Sequence, residues 1–171
     1  PHLLLRRQRQ MCIRDRPVRF VIENNQYGMG TAVTRAAAGR SLAERGAAYG
    51  IPGRQVDGMD VLAVRKAGAE ALEHCRTGKG PYILEMKTYR YRGHSMSDPA
   101  KYRTREEVDA MRKQHDPIDQ LREVLHKQNV TEDRLKDIDA DVKAIVLRAT
   151  EFAQTSPEPD PSELFTDCLL Y

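Results

Sequence analysis

Residues 60–89, DVLAVRKAGAEALEHCRTGKGPYILEMKTY, predict a helix followed by a buried strand. Asp60 is a good N-cap, because its carboxylate can accept hydrogen bonds from the first backbone N–H groups of a helix. We expect this helix to reach about Thr77, with Gly78 just past its end. The apolar run after Pro81 is typical of a strand. The helix residues expected on the buried side are Leu62, Ala69, Leu72 and Cys75.

A second apolar run, Val18 to Ile22, lies upstream and suits a buried strand of a parallel sheet. A short helix, Ser41 to Tyr49, is expected between the two strands. The first strand, the helix that begins after Asp60 and the second strand follow one another in the sequence, and this order indicates a right-handed βαβ unit. The predicted fold class is therefore α/β, with a parallel sheet and flanking helices.

A polar segment, Arg90 to Arg103, follows the second strand. Loops of this length in compact domains are usually functional or mobile. Thr104 and Glu107 then fit a capping box, which predicts a helix to about Gln114. Asp116-Pro117 is typical of the start of a further helix. We therefore expect helices to follow the sheet.

The last long helix is predicted to begin after Thr131 and to end near Gln154. Its apolar residues recur at alternating steps of three and four, so we expect this stripe to pack against another helix. The stripe consists of Leu135, Ile138, Val142, Ile145, Ala149 and Phe152. The prolines that follow predict an extended tail; they are Pro157, Pro159 and Pro161.

Composition indicates a soluble, packed protein, since 40% of the 171 residues are hydrophobic and 31% are charged. No apolar run approaches the roughly 18 residues that span a bilayer, so no membrane partner is expected. The three cysteines are far apart, which favours free thiols in a reducing compartment.

The formal net charge of +3 comes from the first 16 residues. Without their five arginines and one aspartate, the rest of the chain has a formal charge of −1. We interpret residues 1–16 as an anomalous basic segment of non-native origin. The alternative is a basic arm that contacts RNA or phosphate, but elsewhere the chain is not basic, and we expect no nucleic-acid partner.

The end of the first predicted strand carries the string ENNQYGMGT, residues 23–31. In open α/β sheets, ligands lie beyond the carboxyl ends of the strands. A side-chain amide oxygen and a main-chain carbonyl there are hard, neutral ligands that suit magnesium. Taken alone, the residues favour a simple turn over a metal site, because asparagine and glycine favour turns.

Two strings carry a family resemblance. ENNQYGMGT resembles the second half of the thiamine-diphosphate motif, and residues 88–105, TYRYRGHSMSDPAKYRTR, resemble the active-site loop of pyruvate dehydrogenase α subunits. These subunits belong to the thiamine-diphosphate-dependent 2-oxo acid dehydrogenase family. The resemblance extends from Pro17 to Leu169 and implies the C-terminal half of such a subunit. The implied fold is a thiamine-diphosphate-binding fold whose N-terminal part is missing from this chain.

The resemblance implies thiamine diphosphate and magnesium as cofactors. It assigns the side-chain oxygen of Asn25 and the main-chain carbonyl of Tyr27 to magnesium, and it places Gly28 beside the diphosphate. His94 would hydrogen-bond to the diphosphate and exchange protons as a catalytic residue. Ser95 matches a serine that mitochondrial relatives phosphorylate, although we do not expect its modification in this bacterial-type chain.

The implied function belongs to the pyruvate-decarboxylating component of the pyruvate dehydrogenase complex. That component decarboxylates pyruvate and reductively acetylates lipoyl groups. The implied partners are a β subunit, in an α2β2 assembly, and a lipoyl-bearing acyltransferase. The implied location is the bacterial cytoplasm, or the mitochondrial matrix of a eukaryote. The alternatives are a branched-chain 2-oxo acid or acetoin dehydrogenase α subunit, or a non-catalytic assembly fragment that uses the apolar stripe.

Residues 1–16 lack the Gly-Asp-Gly triplet that opens the thiamine-diphosphate motif. We therefore expect the chain by itself to be inactive. The predicted organisation is the anomalous segment at 1–16, the C-terminal part of the cofactor-binding domain at 17–103, a helical region at 104–156 and a proline-rich tail at 157–171. The active-site loop is predicted at 89–103.

Overall fold

The computed structural model describes residues 17–39 and 41–166, and only the backbone of Phe165 and Thr166. The predicted basic segment 1–16 lies outside the described residues. The elements in chain order are β1 (Arg19–Asn24), β2 (Tyr27–Gly28), β3 (Thr31–Ala32), α1 (Val33–Ala36), a 3₁₀ helix (Ala43–Tyr49), β4 (Gly53–Asp57), α2 (Val61–Arg76), β5 (Tyr82–Lys87), α3 (Arg105–His115), α4 (Pro117–Lys127), α5 (Glu132–Thr155) and α6 (Glu163–Thr166).

Three parallel strands form the main sheet, in the order β1-β5-β4. The predicted α/β class is confirmed. Strand β4 was not predicted, because its sequence GRQVD contains a single apolar residue. Helix α2 therefore connects β4 to β5, and β1 lies on the other side of β5. The predicted βαβ unit exists, but its first strand is β4 instead of β1.

Helix α2 packs on one face of β5 through small side chains. Ala67, Ala71 and Cys75 are buried, and the two alanines pack with Leu84 and Met86 of the strand. The predicted buried face was wrong for Leu62 and Ala69, which are exposed. Alanines allow the helix to approach the sheet closely, whereas the larger leucine would hold it away. The N-cap prediction is confirmed, since the Asp60 carboxylate accepts from two backbone N–H groups at 2.9 and 3.0 Å.

The opposite face of β5 is covered by the 3₁₀ helix. Successive side chains of a strand point to opposite faces, so Ile83 and Glu85 lie on this side. Ile83 packs with Ala43 and Ile51, and the half-buried Phe20 and Ile22 complete this second cluster. The central strand β5 is thus buried on both faces, as expected for a strand inside a parallel sheet.

Two glycines give a matched test of this packing. A Cβ added to Gly46 would meet the carbonyl oxygen of Ile51 and the Cδ1 atom of Ile83, the latter at 2.7 Å. We expect Gly46→Ala to lower the free energy of unfolding by about 1–3 kcal/mol. A Cβ on Gly68, within α2, would meet nothing within 4 Å. Gly68→Ala should instead raise it by about 0.5–1 kcal/mol. Urea denaturation measures both, and a stabilising Gly46→Ala would contradict the described packing.

Helices α3 and α4 begin where the sequence predicted. The Thr104 hydroxyl caps α3 by accepting from the Glu107 N–H at 3.1 Å, and Asp116 caps α4. None of the described helices is long and apolar enough to cross a membrane. The contacts divide the chain into two compact units, one ending at Val124 and the other beginning at Leu125.

In the second unit, Thr131 caps α5 as predicted. Leu135 is buried, but the rest of the predicted stripe is exposed; Phe152, for example, is 74% exposed. Within this unit, the described residues leave most of the stripe uncovered. The tail after α5 is not extended throughout, since α6 forms after Pro161. Residues 167–171 of the predicted tail lie outside the described residues.

Candidate functional site

The chain turns sharply where β1 ends. The buried Asn24 side chain accepts from the Gln26 N–H at 3.1 Å, and the Asn25 side chain accepts from the Tyr27 N–H at 3.1 Å. Gln26 adopts a left-handed conformation with φ of 74°. Each asparagine therefore braces the residue two positions on, which is the local pattern that these side chains favour. The predicted turn is confirmed, and it brings Asn25 and Tyr27 close together.

A cleft of about 310 Å³ lies beside this turn, and we call it the β1 cleft. It is lined by three of the predicted site residues, Asn25, Tyr27 and Gly28. Leu42, at the start of the 3₁₀ helix, contributes to the lining as well. A Cβ added to Gly28 would meet nothing within 4 Å, so a ligand can approach the backbone closely at this position. This volume is within the range of small-molecule sites.

Glu85 lies in the middle of the sheet and is 1% exposed. Its Oε1 atom accepts from the Asn24 side chain at 2.7 Å. Burial by itself would raise the pKa of this carboxyl, but hydrogen bonds from Ser41, Asn24 and Gln55 outweigh burial and lower the pKa to about 2. Glu85 is therefore ionised at neutral pH. The sequence predicted this residue only as part of the buried strand after Pro81.

The predicted active-site loop, residues 89–103, contains neither helix nor strand. Its last residue, Arg103, is buried, and the guanidinium donates to the backbone carbonyls of Arg90 and Arg92. The same guanidinium lies 5.2–5.4 Å from three tyrosine ring centres, those of Tyr27, Tyr89 and Tyr102. Such cation–π contacts stabilise a desolvated arginine. Arg103 therefore joins both ends of the loop to the turn after β1.

A second set of contacts connects the loop to the same turn. Arg90 donates to the Met29 carbonyl at 2.8 Å and to the Tyr102 hydroxyl at 3.0 Å. The rings of Tyr27 and Tyr102 are 5.4 Å apart. The structure thus brings together the two strings that carry the family resemblance.

His94 lies on the exposed part of the loop. Its Nδ1 atom is 3.3 Å from an Arg90 nitrogen, and its backbone N–H donates to Asp98 at 2.7 Å. Asp98 also accepts from the Ala100 N–H, and these hydrogen bonds lower the pKa of its carboxyl to about 2. The hydroxyl of Ser95 is exposed and lies 3.1 Å from that of Ser97. The imidazole is therefore accessible and held on an ordered turn.

Glu107 has a role that the capping box did not predict. Its carboxylate accepts from the Tyr89 hydroxyl at 2.7 Å and is 3.5 Å from that of Tyr27. Burial and the Glu107 carboxylate raise the pKa of Tyr89 to about 12. Helix α3 thereby holds the start of the loop. No local pattern marks this role, because the partners are 18 and 80 residues away.

The donor set of the β1 cleft fits a magnesium diphosphate better than a bare metal ion. Within the described residues, no group of three histidine, cysteine or acidic side chains could hold a metal. An amide oxygen at Asn25 and a main-chain carbonyl at Tyr27 are neutral ligands. Magnesium bound through them would depend on phosphate oxygens for negative charge. The open approach at Gly28 suits such a ligand.

Comparison with known proteins identifies similar chains. Residues 13–162 match the family described as "Dehydrogenase E1 component". The chain is 61% identical to the pyruvate dehydrogenase E1 component subunit alpha of Rhizobium meliloti over 155 residues, which cover 90% of this chain and 44% of that protein. Identity to the corresponding subunit of Zymomonas mobilis is 54%, with the same coverages. A testis-specific mitochondrial form from Rattus norvegicus is 52% identical, over 86% of this chain and 38% of that protein. The chain thus spans less than half the length of these relatives.

Proposed function

The chain belongs to the dehydrogenase E1 component family, and on this premise we propose that it is part of the α subunit of a pyruvate dehydrogenase. The proposal rests on one observation: Arg90 and Arg103 connect residues 23–30 to the loop 89–103. The identity of 61% to a bacterial pyruvate dehydrogenase α subunit supports the choice of pyruvate.

In this proposal, the β1 cleft holds part of the magnesium and diphosphate site. The Asn25 side chain and the Tyr27 carbonyl would bind magnesium, and Gly28 would leave room for the diphosphate. Bound thiamine diphosphate would supply the electron sink that decarboxylation of a 2-oxo acid requires. His94 would hydrogen-bond to the diphosphate and transfer protons, with Arg90 holding its ring. Ser95 would be accessible, and its lack of modification stays a prediction.

The partners in this proposal are a β subunit, in an α2β2 assembly, and a lipoyl-bearing acyltransferase that accepts the acetyl group. The relatives' name, subunit alpha of an E1 component, supports a partner subunit, and the acyltransferase stays a prediction from the family resemblance. The apolar stripe of α5 is available to such partners, because Val142 and Ile145 are more than half exposed.

A chimeric α subunit tests the proposal. The stretch of the Rhizobium meliloti α subunit that aligns with this chain is replaced by residues 17–162, and the chimera is co-expressed with the β subunit of that organism. We expect pyruvate-dependent reduction of an artificial electron acceptor that requires magnesium and thiamine diphosphate. The unaltered α subunit is the control. A chimera that assembles with the β subunit but oxidises no 2-oxo acid would contradict the proposal, and a shift to branched-chain 2-oxo acids would favour the alternative.

Gly28→Ala in the chimera separates ligand binding from folding. The added methyl group would meet no protein atom within 4 Å, so the melting temperature without cofactor should change by about 1 °C or less. The methyl group would occupy the approach to the diphosphate, and we expect the dissociation constant of thiamine diphosphate to rise about tenfold or more. Gly68→Ala is the matched control, since its Cβ is equally free but lies on α2. Unchanged cofactor affinity in Gly28→Ala would show that the diphosphate lies elsewhere.

A further inference from the structure

The buried carboxylate of Glu85 accepts hydrogen bonds from both walls of the β1 cleft. One wall is the turn after β1, which contains Asn24. The other contains Leu42, at the start of the 3₁₀ helix. Each wall donates hydrogen bonds to the same buried carboxylate. One buried side chain that does not itself line the cleft therefore connects the two walls.

The Oε1 atom of Glu85 determines the orientation of the Asn24 amide. Because the Asn24 Nδ2 atom donates to Oε1 at 2.7 Å, its Oδ1 atom is directed to the Gln26 N–H. That hydrogen bond supports the left-handed conformation of Gln26. The conformation of Gln26 in turn sets the direction in which the chain continues to Tyr27. The Asn25 side chain and Tyr27 are thus aligned through Asn24.

The Oε2 atom of Glu85 holds the opposite wall. It accepts from the Ser41 hydroxyl and the Leu42 N–H, both at 2.7 Å, and from the Ala43 N–H at 3.2 Å. The Gln55 side chain donates a further hydrogen bond at 3.2 Å. All of these groups are donors, so only a group with two acceptor oxygens can satisfy both walls.

We propose that Glu85 is a positioning residue for the magnesium and diphosphate site, which it shapes by holding Asn24 and the segment from Ser41 to Ala43 at a fixed distance. This role rests on the proposed function of the β1 cleft. A glutamine at this position would direct its NH₂ group at one wall, where a donor already points. Groups that orient metal ligands from behind typically change metal affinity by about 10- to 100-fold when they are altered.

The test is Glu85→Gln in the chimeric α subunit assembled with its β subunit. Titration calorimetry measures magnesium binding in the presence of saturating thiamine diphosphate. We expect the magnesium dissociation constant to rise about 10- to 100-fold. Ala71→Gly is the control, because it removes a buried methyl group from α2 without contact to either wall. It should lower the melting temperature and leave magnesium affinity within about twofold.

A reciprocal exchange tests the mechanism. In Asn24→Asp combined with Glu85→Gln, the glutamine oxygen can accept from Ser41 and Leu42 while its NH₂ group donates to the new carboxylate. We expect this double variant to recover at least about half of the lost binding free energy. The fold-increase of its magnesium dissociation constant should therefore be no larger than about the square root of the increase in Glu85→Gln. Ser41→Ala, which keeps the carboxylate but removes one donor, should weaken binding by a smaller factor than Glu85→Gln.

Three results would overturn the proposal. They are wild-type magnesium affinity in Glu85→Gln, a loss of magnesium affinity in Ala71→Gly equal to that in Glu85→Gln, or a double variant that binds magnesium no more tightly than Glu85→Gln. If Glu85→Gln does not fold, the comparison of Ser41→Ala with Ala71→Gly decides, and equal magnesium affinities of the two would overturn it. Failure of the proposed function is distinguished from these results, because the chimera without substitutions would then bind neither magnesium nor thiamine diphosphate.

Discussion

Glu85→Ala should lower the free energy of unfolding of the chain by about 3–5 kcal/mol, because several buried donors lose their common acceptor together. The substitution leaves the Asn24 amide, the Leu42 N–H and their neighbours without an acceptor inside the sheet. Each buried donor that loses its partner costs about 1–3 kcal/mol. Urea denaturation followed by circular dichroism measures the change.

The control for this prediction is Glu70→Ala. Glu70 pairs with Arg54 at 2.5 Å, but both side chains are about half exposed. Exposed ion pairs contribute about 0–1 kcal/mol. A loss in Glu85→Ala no greater than that in Glu70→Ala would mean that the buried hydrogen bonds do not stabilise the sheet.

The same carboxylate makes stability depend on pH. The pKa of Glu85 is lowered from 4.5 to about 2 in the folded chain. Because the pKa is lowered, the ionised carboxylate stabilises the folded state at pH values above the ordinary pKa of a glutamate. This contribution is lost as the pH falls from about 5 to about 2. The lowering of the pKa corresponds to about 3 kcal/mol of the free energy of unfolding. In Glu85→Gln this part of the pH dependence should be absent. Parallel stability curves for the two proteins between pH 5 and pH 2 would contradict the assignment.

His94→Ala should lower kcat of the chimeric enzyme by about 10²- to 10⁴-fold, the usual contribution of a proton-transfer group. The effect on KM for pyruvate should stay within a few fold, because the imidazole is proposed to act on the cofactor and in proton transfer. Steady-state assays with pyruvate and an artificial electron acceptor provide both constants. His94→Gln, which keeps hydrogen bonding but not proton exchange, separates the two roles.

His115→Ala is the matched control for His94. His115 is exposed at the end of α3 and is not part of the loop 89–103, and its removal should leave kcat unchanged. If His94→Ala retained more than about a tenth of wild-type kcat, neither proposed role of the imidazole could be correct.

The parts of the fold that follow from local chemistry were predictable. Asp60, Thr104 and Thr131 each mark the start of a helix, because capping depends only on nearby backbone groups. Strand β4 was missed because its residues are mostly exposed, so it has no apolar run. The buried face of α2 was assigned wrongly because small residues, not large ones, meet the sheet.

The candidate site likewise has features that follow from local sequence and features that depend on distant partners. The turn at Asn24 and Asn25 and the long loop could be read from consecutive residues. The role of Glu85 could not, because its partners lie 30–61 residues away in sequence. One signal was present: a carboxylate in the middle of the apolar run YILEM must be paired if it is buried. The contacts of Arg103 with three tyrosines likewise depend on how the loop folds back on the turn.

The central claim is that the turn after β1 and the loop 89–103 form one magnesium and thiamine-diphosphate site. The most direct measurement is a crystal structure of the chimeric α subunit with its β subunit, magnesium and thiamine diphosphate. The account predicts the Asn25 side-chain oxygen and the Tyr27 carbonyl oxygen at about 2.1 Å from magnesium, with His94 in hydrogen-bond contact with the diphosphate. Magnesium coordinated without Asn25 and Tyr27, or a diphosphate beyond the reach of His94, would contradict it.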